Sequence, residues 1–253
     1  MDNVMLAFLY TFLAGISTGI GSLIAFFIKE VKPVHMAIFM GFSAGVMIYI
    51  SFAELLFTSI IDIGFANASL FFFIGIALIA VIDFLLPHEY EEEHSCREIQ
   101  NKGLLKAGML IAIGIAIHNF PEGMAMLFST LKDPQLGLLL VVAIALHNIP
   151  EGISVSFPIY CATNSRKKAF LWSFASGLAE PLGALIGFFI IFPFLTPYIL
   201  SAILAVVAGI MIFISFDELI PISLRTKEEH IAVASVFFGM LFSAFTIILL
   251  NYK

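Results

Sequence analysis

Eight times along its length the chain runs for roughly 20 residues or more with almost no charge, enough to cross the ~30 Å hydrocarbon core of a bilayer as a helix. The apolar runs fall at about Val4–Ile28, Val34–Ile61, Ala68–Leu86, Leu104–Leu131, Leu136–Cys161, Ala169–Phe192, Pro197–Ile222 and Ile231–Leu250. In lipid every backbone N–H and C=O must find a partner within the protein, and a helix satisfies that within one segment. With 61% hydrophobic and 12% charged residues, no globular core could hide so much apolar surface. The expected fold class is an all-α integral membrane protein of eight transmembrane helices. Short loops join the runs, so residues 1–253 read as a single transmembrane domain.

The basic residues give the orientation. Lys29 and Lys32, Arg97, Lys102 and Lys106, Arg166, Lys167 and Lys168, and Arg225 and Lys227 follow the first, third, fifth and seventh runs. These are ten of the 12 Lys and Arg, and only Lys132 and Lys253 lie on the other side. The positive-inside rule makes those four loops cytoplasmic and both termini extracytoplasmic. The N-terminus has no basic leader and its apolar run is long, so no cleaved signal peptide is expected. A plausible residence is the cytoplasmic (inner) membrane of a bacterium. Much of the formal charge of −6 lies in the runs and in one acidic loop, about residues 87–103. That placement suggests cations as partners, beside the lipid bilayer, and not nucleic acid. A homodimer is left open.

Inside the fourth and fifth runs the chain writes one hexapeptide twice: His118-Asn119-Phe120-Pro121-Glu122-Gly123 and His147-Asn148-Ile149-Pro150-Glu151-Gly152. A charged group at mid-helix costs roughly 2.5–3.5 kcal/mol on insertion scales, so a doubled polar set at depth points to a bound cation. On a helix His118 and Glu122 share a face, Asn119 and Glu122 share the neighbouring one, and the second motif repeats both. A short link around Lys132, Asp133 and Pro134 makes the two helices antiparallel, so the motifs can meet at similar depth. Two imidazoles, two carboxylates and two amides, with no thiolate nearby, suit Zn²⁺, Fe²⁺, Co²⁺ or Mn²⁺ and argue against Cu⁺. The two carboxylates could bridge a pair of ions. Pro121 and Pro150 free the carbonyls of Ile117 and Leu146, a broken ladder tolerated where it lines a cavity.

The hexapeptide belongs to a larger repeat. Gly15, Gly21, Leu23, Ile24, Phe26 and Phe27 match Gly177, Gly183, Leu185, Ile186, Phe188 and Phe189 at an offset of 162. Around Gly45 and Ser51-Phe-Ala-Glu54-Leu the second run matches Gly209 and Ser215-Phe-Asp-Glu218-Leu of the seventh, at 164. A weaker Phe-rich approach to Gly75 and Gly239 pairs the third run with the eighth. Partners run in opposite directions, so the repeat is inverted in a 3+2+3 arrangement, a usual build of secondary transporters.

Other acids lie within the runs. Glu180, beside Pro181, reads as a further ligand. Glu54 and Glu218, with Asp217 adjacent, could stage ions or pair with hydroxyls such as Ser51 and Ser215. Asp83 reads as a solvated or capping group near the cytoplasmic end of its run. The loop from His88 to Cys96 is either a metal-capturing or a merely solvated segment.

HNFPEG, HNIPEG, GLAEPLGA in the sixth run and SFDELIP in the seventh together resemble the ZIP family of divalent-metal transporters, most closely its bacterial zinc-transporting branch. The resemblance covers essentially the whole chain. It implies one ion held by His118, Glu122, His147 and Glu151. A second would use Asn119, Glu122, Asn148, Glu151 and Glu180, with the two motif glutamates bridging. It also implies uptake of Zn²⁺ into the cytoplasm, with Fe²⁺, Mn²⁺, Co²⁺ and Cd²⁺ as further substrates. By the same resemblance no prosthetic group is needed, and the first, fourth, fifth and sixth helices move against the others. Two other readings stand beside it. An intramembrane metalloenzyme is disfavoured because neither His-Glu-x-x-His nor Glu-x-x-His occurs within the apolar runs. A metal-gated channel is separated from a carrier only by the inverted repeat.

Overall fold

The computed structural model describes residues 2–25, 27, 33–84, 102–194, 196–224 and 228–251, and these form eight helices with no strand among them. Helix α1 is Asp2–Ala25. Helix α2 begins as Pro33–Ile50, passes through a π-helical stretch at Ser51–Leu56, and ends as Phe57–Ile63. Helices α3, α4 and α5 are Phe65–Phe84, Lys102–Lys132 and Pro134–Thr163. Helix α6 is interrupted: Arg166–Gly177, Ala179–Ile186, a π-helical Gly187–Ile191 and a final 3₁₀ turn Phe192–Phe194. Helix α7 runs as Pro197–Ile214, a π-helical Ser215–Leu219 and Ile220–Leu224, and α8 is Glu229–Asn251. Six of the eight are long and apolar enough to cross a membrane, and Phe65–Val81 is a shorter apolar helix. The protein is an all-α, multi-pass membrane protein.

Side chains set the helix ends. Asp133 caps α5 by accepting the Gln135 N–H at 2.8 Å, with Pro134 in the first turn, where its missing N–H costs nothing. Ser165 caps α6 through the Lys168 N–H at 3.3 Å, and Thr196 caps α7 through the Ile199 N–H at 3.2 Å. Gly64, at φ 81°, makes the one-residue turn from α2 to α3.

Polarity is arranged inside out. Phe237, Leu241, Phe245 and Leu249, four residues apart on α8, are all more than half exposed, while Ser17, Thr18, Ser22, Ser173 and Ser176 are buried. Such a surface is stable only against lipid.

Glycines bring helices into backbone contact, and these contacts come in matched pairs. A Cβ on Gly21 of α1 would overlap the Ile149 carbonyl oxygen of α5, and one on Gly183 of α6 would overlap that of Phe120 on α4. Gly152 meets the Thr18 carbonyl as Gly123 meets that of Glu180. Elsewhere Gly45 meets Val236 and Gly239 meets Phe42, just as Gly209 meets Phe72 and Gly75 meets Val206. Gly15 and Gly177 each meet the other's carbonyl. Every contact maps onto its partner by the sequence offsets of the repeat. The same operation carries α4 to α5 and α5 to α4, so it is a two-fold. Because α1 and α6 are separated by an odd number of crossings, its axis lies in the membrane plane. The glycine contacts also sort the helices into two groups, α1, α4, α5, α6 and α2, α3, α7, α8. Among the described residues none crosses between them.

Candidate metal centre

The doubled hexapeptide meets at the centre of the first group. Both motif helices run through Pro121 and Pro150 without interruption, so the expected gap in the ladder does not end either helix. Only the bond that each proline cannot make is lost, because the turns on either side are held by packing. The break occurs on α6 instead, at Leu178, three residues before Pro181. Pro181 cannot serve the Gly177 carbonyl, and that oxygen is the one facing Gly15.

Six of the seven expected ligands have described side chains, and all six are buried. Asn119, His147, Asn148, Glu151 and Glu180 are 0% exposed and Glu122 is 1% exposed. His147 Nε2 lies 3.2 Å from a Glu122 carboxylate oxygen, so α4 and α5 do face each other at this depth. The Asn148 amide donates to Glu180 Oε1, joining α5 to α6. Glu180 lies within electrostatic reach of Glu122 and Glu151. Asn148 also donates to the Ala14 carbonyl at 3.0 Å, and Asn119 to that of Ser176 at 3.3 Å, a pair related by the same offset of 162. Both amide oxygens, and Glu180 Oε2, have no hydrogen-bond partner among the described residues. His118 stands on α4 one residue before Asn119, but its side chain lies outside the described residues.

No group of three or more His, Cys, Asp or Glu among the described residues is closed to metal-binding distances. The donor set nevertheless fits a divalent cation. Three carboxylates are fully buried, and no Lys or Arg is buried with them among the described residues. Carboxylates in such surroundings need a positive charge or a proton.

The remaining acids stand apart. Glu54 is half-buried within the α2 π-helical stretch, and Asp217 is exposed in the matching stretch of α7. Of the two readings, pairing with Ser51 or Ser215 is not seen among the described residues: Ser215 donates to the Met211 carbonyl at 2.7 Å, and Ser51 Oγ has no partner there. Helical Ser prefers the carbonyl one turn back. The side chains of Glu218 and Asp83, and the whole stretch from His88 to Cys96, lie outside the described residues.

Sequence reasoning passed over Ser173, whose hydroxyl lies 3.1 Å from the Thr18 carbonyl and 3.2 Å from that of Gly152, tying α1, α5 and α6 together behind the site. No local pattern marks such a serine.

Comparison with known proteins decides the family. The sequence profile of the ZIP zinc transporters matches residues 86–247. The chain belongs to the ZIP family. Zinc transporter ZupT of Chlorobium chlorochromatii is 46% identical over 265 residues, covering 98% of this chain and 98% of that protein. ZupT of Streptococcus mutans is 47% identical over 261 residues with the same coverage. ZupT of Clostridium perfringens is 43% identical over 278 residues, covering 98% and 97%. The ZIP relatives are transporters, and with them the metalloenzyme reading falls: this chain is not an enzyme.

Proposed function

We propose that this ZIP protein takes up Zn²⁺ into the cytoplasm, with Fe²⁺, Mn²⁺, Co²⁺ and Cd²⁺ as further substrates, through a binuclear site between α4, α5 and α6. The observation that carries the reading is the set of buried carboxylates with no Lys or Arg buried among the described residues, meeting imidazole and amide donors. A divalent ion supplies the missing positive charge, and bare amide oxygens beside the acids supply neutral donors. One ion is held by His118, Glu122, His147 and Glu151. The other is held by Asn119, Glu122, Asn148, Glu151 and Glu180, with Glu122 and Glu151 shared.

The His147–Glu122 and Asn148–Glu180 contacts are what an arriving ion replaces. Both contacts lie within the first helix group, so the ions ride on α1, α4, α5 and α6. This group moves against α2, α3, α7 and α8, opening to one side of the membrane and then the other. Four loops carrying ten of the 12 basic residues face the cytoplasm of a bacterial cell, and both termini face out. The chain works as one domain over residues 1–253, with the acidic loop near 87–103 inside.

The test is initial-rate Zn²⁺ influx into proteoliposomes, comparing the wild type with the Glu122→Ala/Glu151→Ala double variant, both checked for monodispersity. Saturable influx that disappears in the variant is the expected result. Tight zinc binding without influx would overturn the carrier reading.

A further inference from the structure

Thr18 occupies on α1 the place that Glu180 holds on α6. The two residues are 162 apart, the offset that relates Gly15 to Gly177 and Gly21 to Gly183. Their surroundings match as well, since Gly152 meets the Thr18 carbonyl as Gly123 meets that of Glu180. The Asn148 amide bonds Ala14 of α1 and Glu180 of α6, and its mate Asn119 bonds Ser176, the mate of Ala14. Completing the pattern, the residue related to Glu180 on the Asn119 side is Thr18.

Among the described residues six buried hydroxyls lack a hydrogen-bond partner, and Thr18 is the threonine of that set. Elsewhere in the described helices Thr11, Thr130, Thr163 and Thr246 donate to the carbonyl four residues back, as helical threonines do. The corresponding acceptor for Thr18 is Ala14, whose carbonyl already receives Ser17 and Asn148. Thr18 is 0% exposed and its Oγ1 has no hydrogen-bond partner among the described residues. Its Cβ and Oγ1 both lie 2.9 Å from where a Cβ would stand on Gly177, so the side chain sits between α1 and α6. The adjoining Ser176 carbonyl is the one bonded by Asn119, whose own Oδ1 is also without a partner. A buried bare hydroxyl costs free energy unless something uses it.

We propose that Thr18 Oγ1 is a sixth oxygen donor to the ion held by Asn119, Asn148, Glu122, Glu151 and Glu180, placed across the two-fold from Glu180. The proposal rests on the binuclear reading above. In that reading the all-oxygen ion lies on the two-fold, because it takes both asparagines and both motif glutamates. Glu180 alone breaks the symmetry of the set, and Thr18 restores the count with a neutral donor. Six oxygens form the environment that Mn²⁺ and similar hard cations prefer, whereas the imidazole-bearing position suits Zn²⁺. Thr18 is thereby a specificity-determining residue, favouring hard ions at one of the two positions while adding no charge.

The experiment titrates the purified full-length protein with Mn²⁺, reading free Mn²⁺ by electron paramagnetic resonance, for the wild type, Thr18→Val, Thr18→Ser and Glu180→Gln. Thr18→Val is expected to bind Mn²⁺ about tenfold more weakly while its Zn²⁺ affinity stays unchanged, and Thr18→Ser to match the wild type. Should Thr18→Val not be monodisperse, Thr18→Ala takes its place. Equal Mn²⁺ affinity in Thr18→Val and wild type, with Glu180→Gln weakened, would overturn the role of Thr18 alone. Thr18→Ser as weak as Thr18→Val would make the role one of packing and overturn it equally. Undiminished Mn²⁺ affinity in Glu180→Gln would remove the all-oxygen position itself, and the proposal with it.

Discussion

Lys132, the last residue of α4, forms an ion pair with Asp62 near the end of α2, bridging the two glycine-sealed helix groups. Asp62 is anchored within its own group by the Ser201 hydroxyl of α7 at 2.6 Å. The pair borders an open cleft of about 460 Å³ that Thr196, Pro197 and Tyr198 also line. Both side chains are roughly 30% exposed, so the pair contributes about 1 kcal/mol at most to stability. Under the proposed movement of one group against the other, a tie between them holds one state back. Asp62→Asn is expected to leave the melting temperature nearly unchanged and to raise maximal Zn²⁺ influx by up to about fivefold, with high salt mimicking it in the wild type. Proteoliposome flux at low and high ionic strength is the check, and slower influx in the variant would reverse the assignment.

Removing a carboxylate that serves both ions is expected to be more damaging than removing a donor that serves one. Glu122→Ala and Glu151→Ala each nearly abolish uptake, whereas His147→Ala and Asn148→Ala change the ratio of Zn²⁺ to Mn²⁺ uptake. Competition flux with both metals present measures this. Near-normal influx through either glutamate variant would exclude the bridging role.

Protons and metal ions compete for the same imidazole and carboxylate lone pairs. Occupied by protons these groups hold no metal, so influx is expected to fall as the pH is lowered from neutral through the mildly acidic range. Initial rates at constant free Zn²⁺ across that range are the measurement. A flat profile would mean that the groups are not the ligands.

Glycine seams related by the two-fold are expected to respond alike. Gly21→Ala and Gly183→Ala each force a methyl group onto a carbonyl oxygen, at Ile149 and Phe120 respectively. Each variant is expected to lose about 3 kcal/mol or more, because backbone cannot yield as a flexible side chain does. Thermal unfolding in detergent tests the pair, and opposite outcomes at the two sites would argue against equivalent packing.

Much of this molecule was legible in its sequence because lipid makes polarity expensive. Glu122, Glu151 and Glu180 announced themselves as acids in apolar runs, and all three are buried together. The repeat was legible from Gly45, Gly209 and their neighbours, and close helix approach is the use that those glycines serve. Thr18 was not legible alone, since a helical threonine ordinarily satisfies itself one turn back, and only its register with Glu180 marks it. The π-helical stretches at Ser51–Leu56 and Ser215–Leu219 were hidden too. The shared Ser-Phe-x-Glu-Leu text announces equivalence but not the extra residue per turn. Asp62 and Lys132 are 70 residues apart, and nothing local to either predicts that they meet.

At the glycine seams backbone meets backbone, so at those points no side chain stands between the helices to be repacked. Each group of four is in effect a stiff casting. Compliance resides in the joint, a continuous buried layer that includes Met40 and Met47 of α2, Met126 and Phe128 of α4 and Met211 of α7. Methionine is unbranched and polarisable, and it slides past its neighbours at little penalty. If the two groups move as proposed, the protein works like a bearing, hard in its races and soft in its lubricant. Substitutions that stiffen the lubricant would slow the machine without loosening either half.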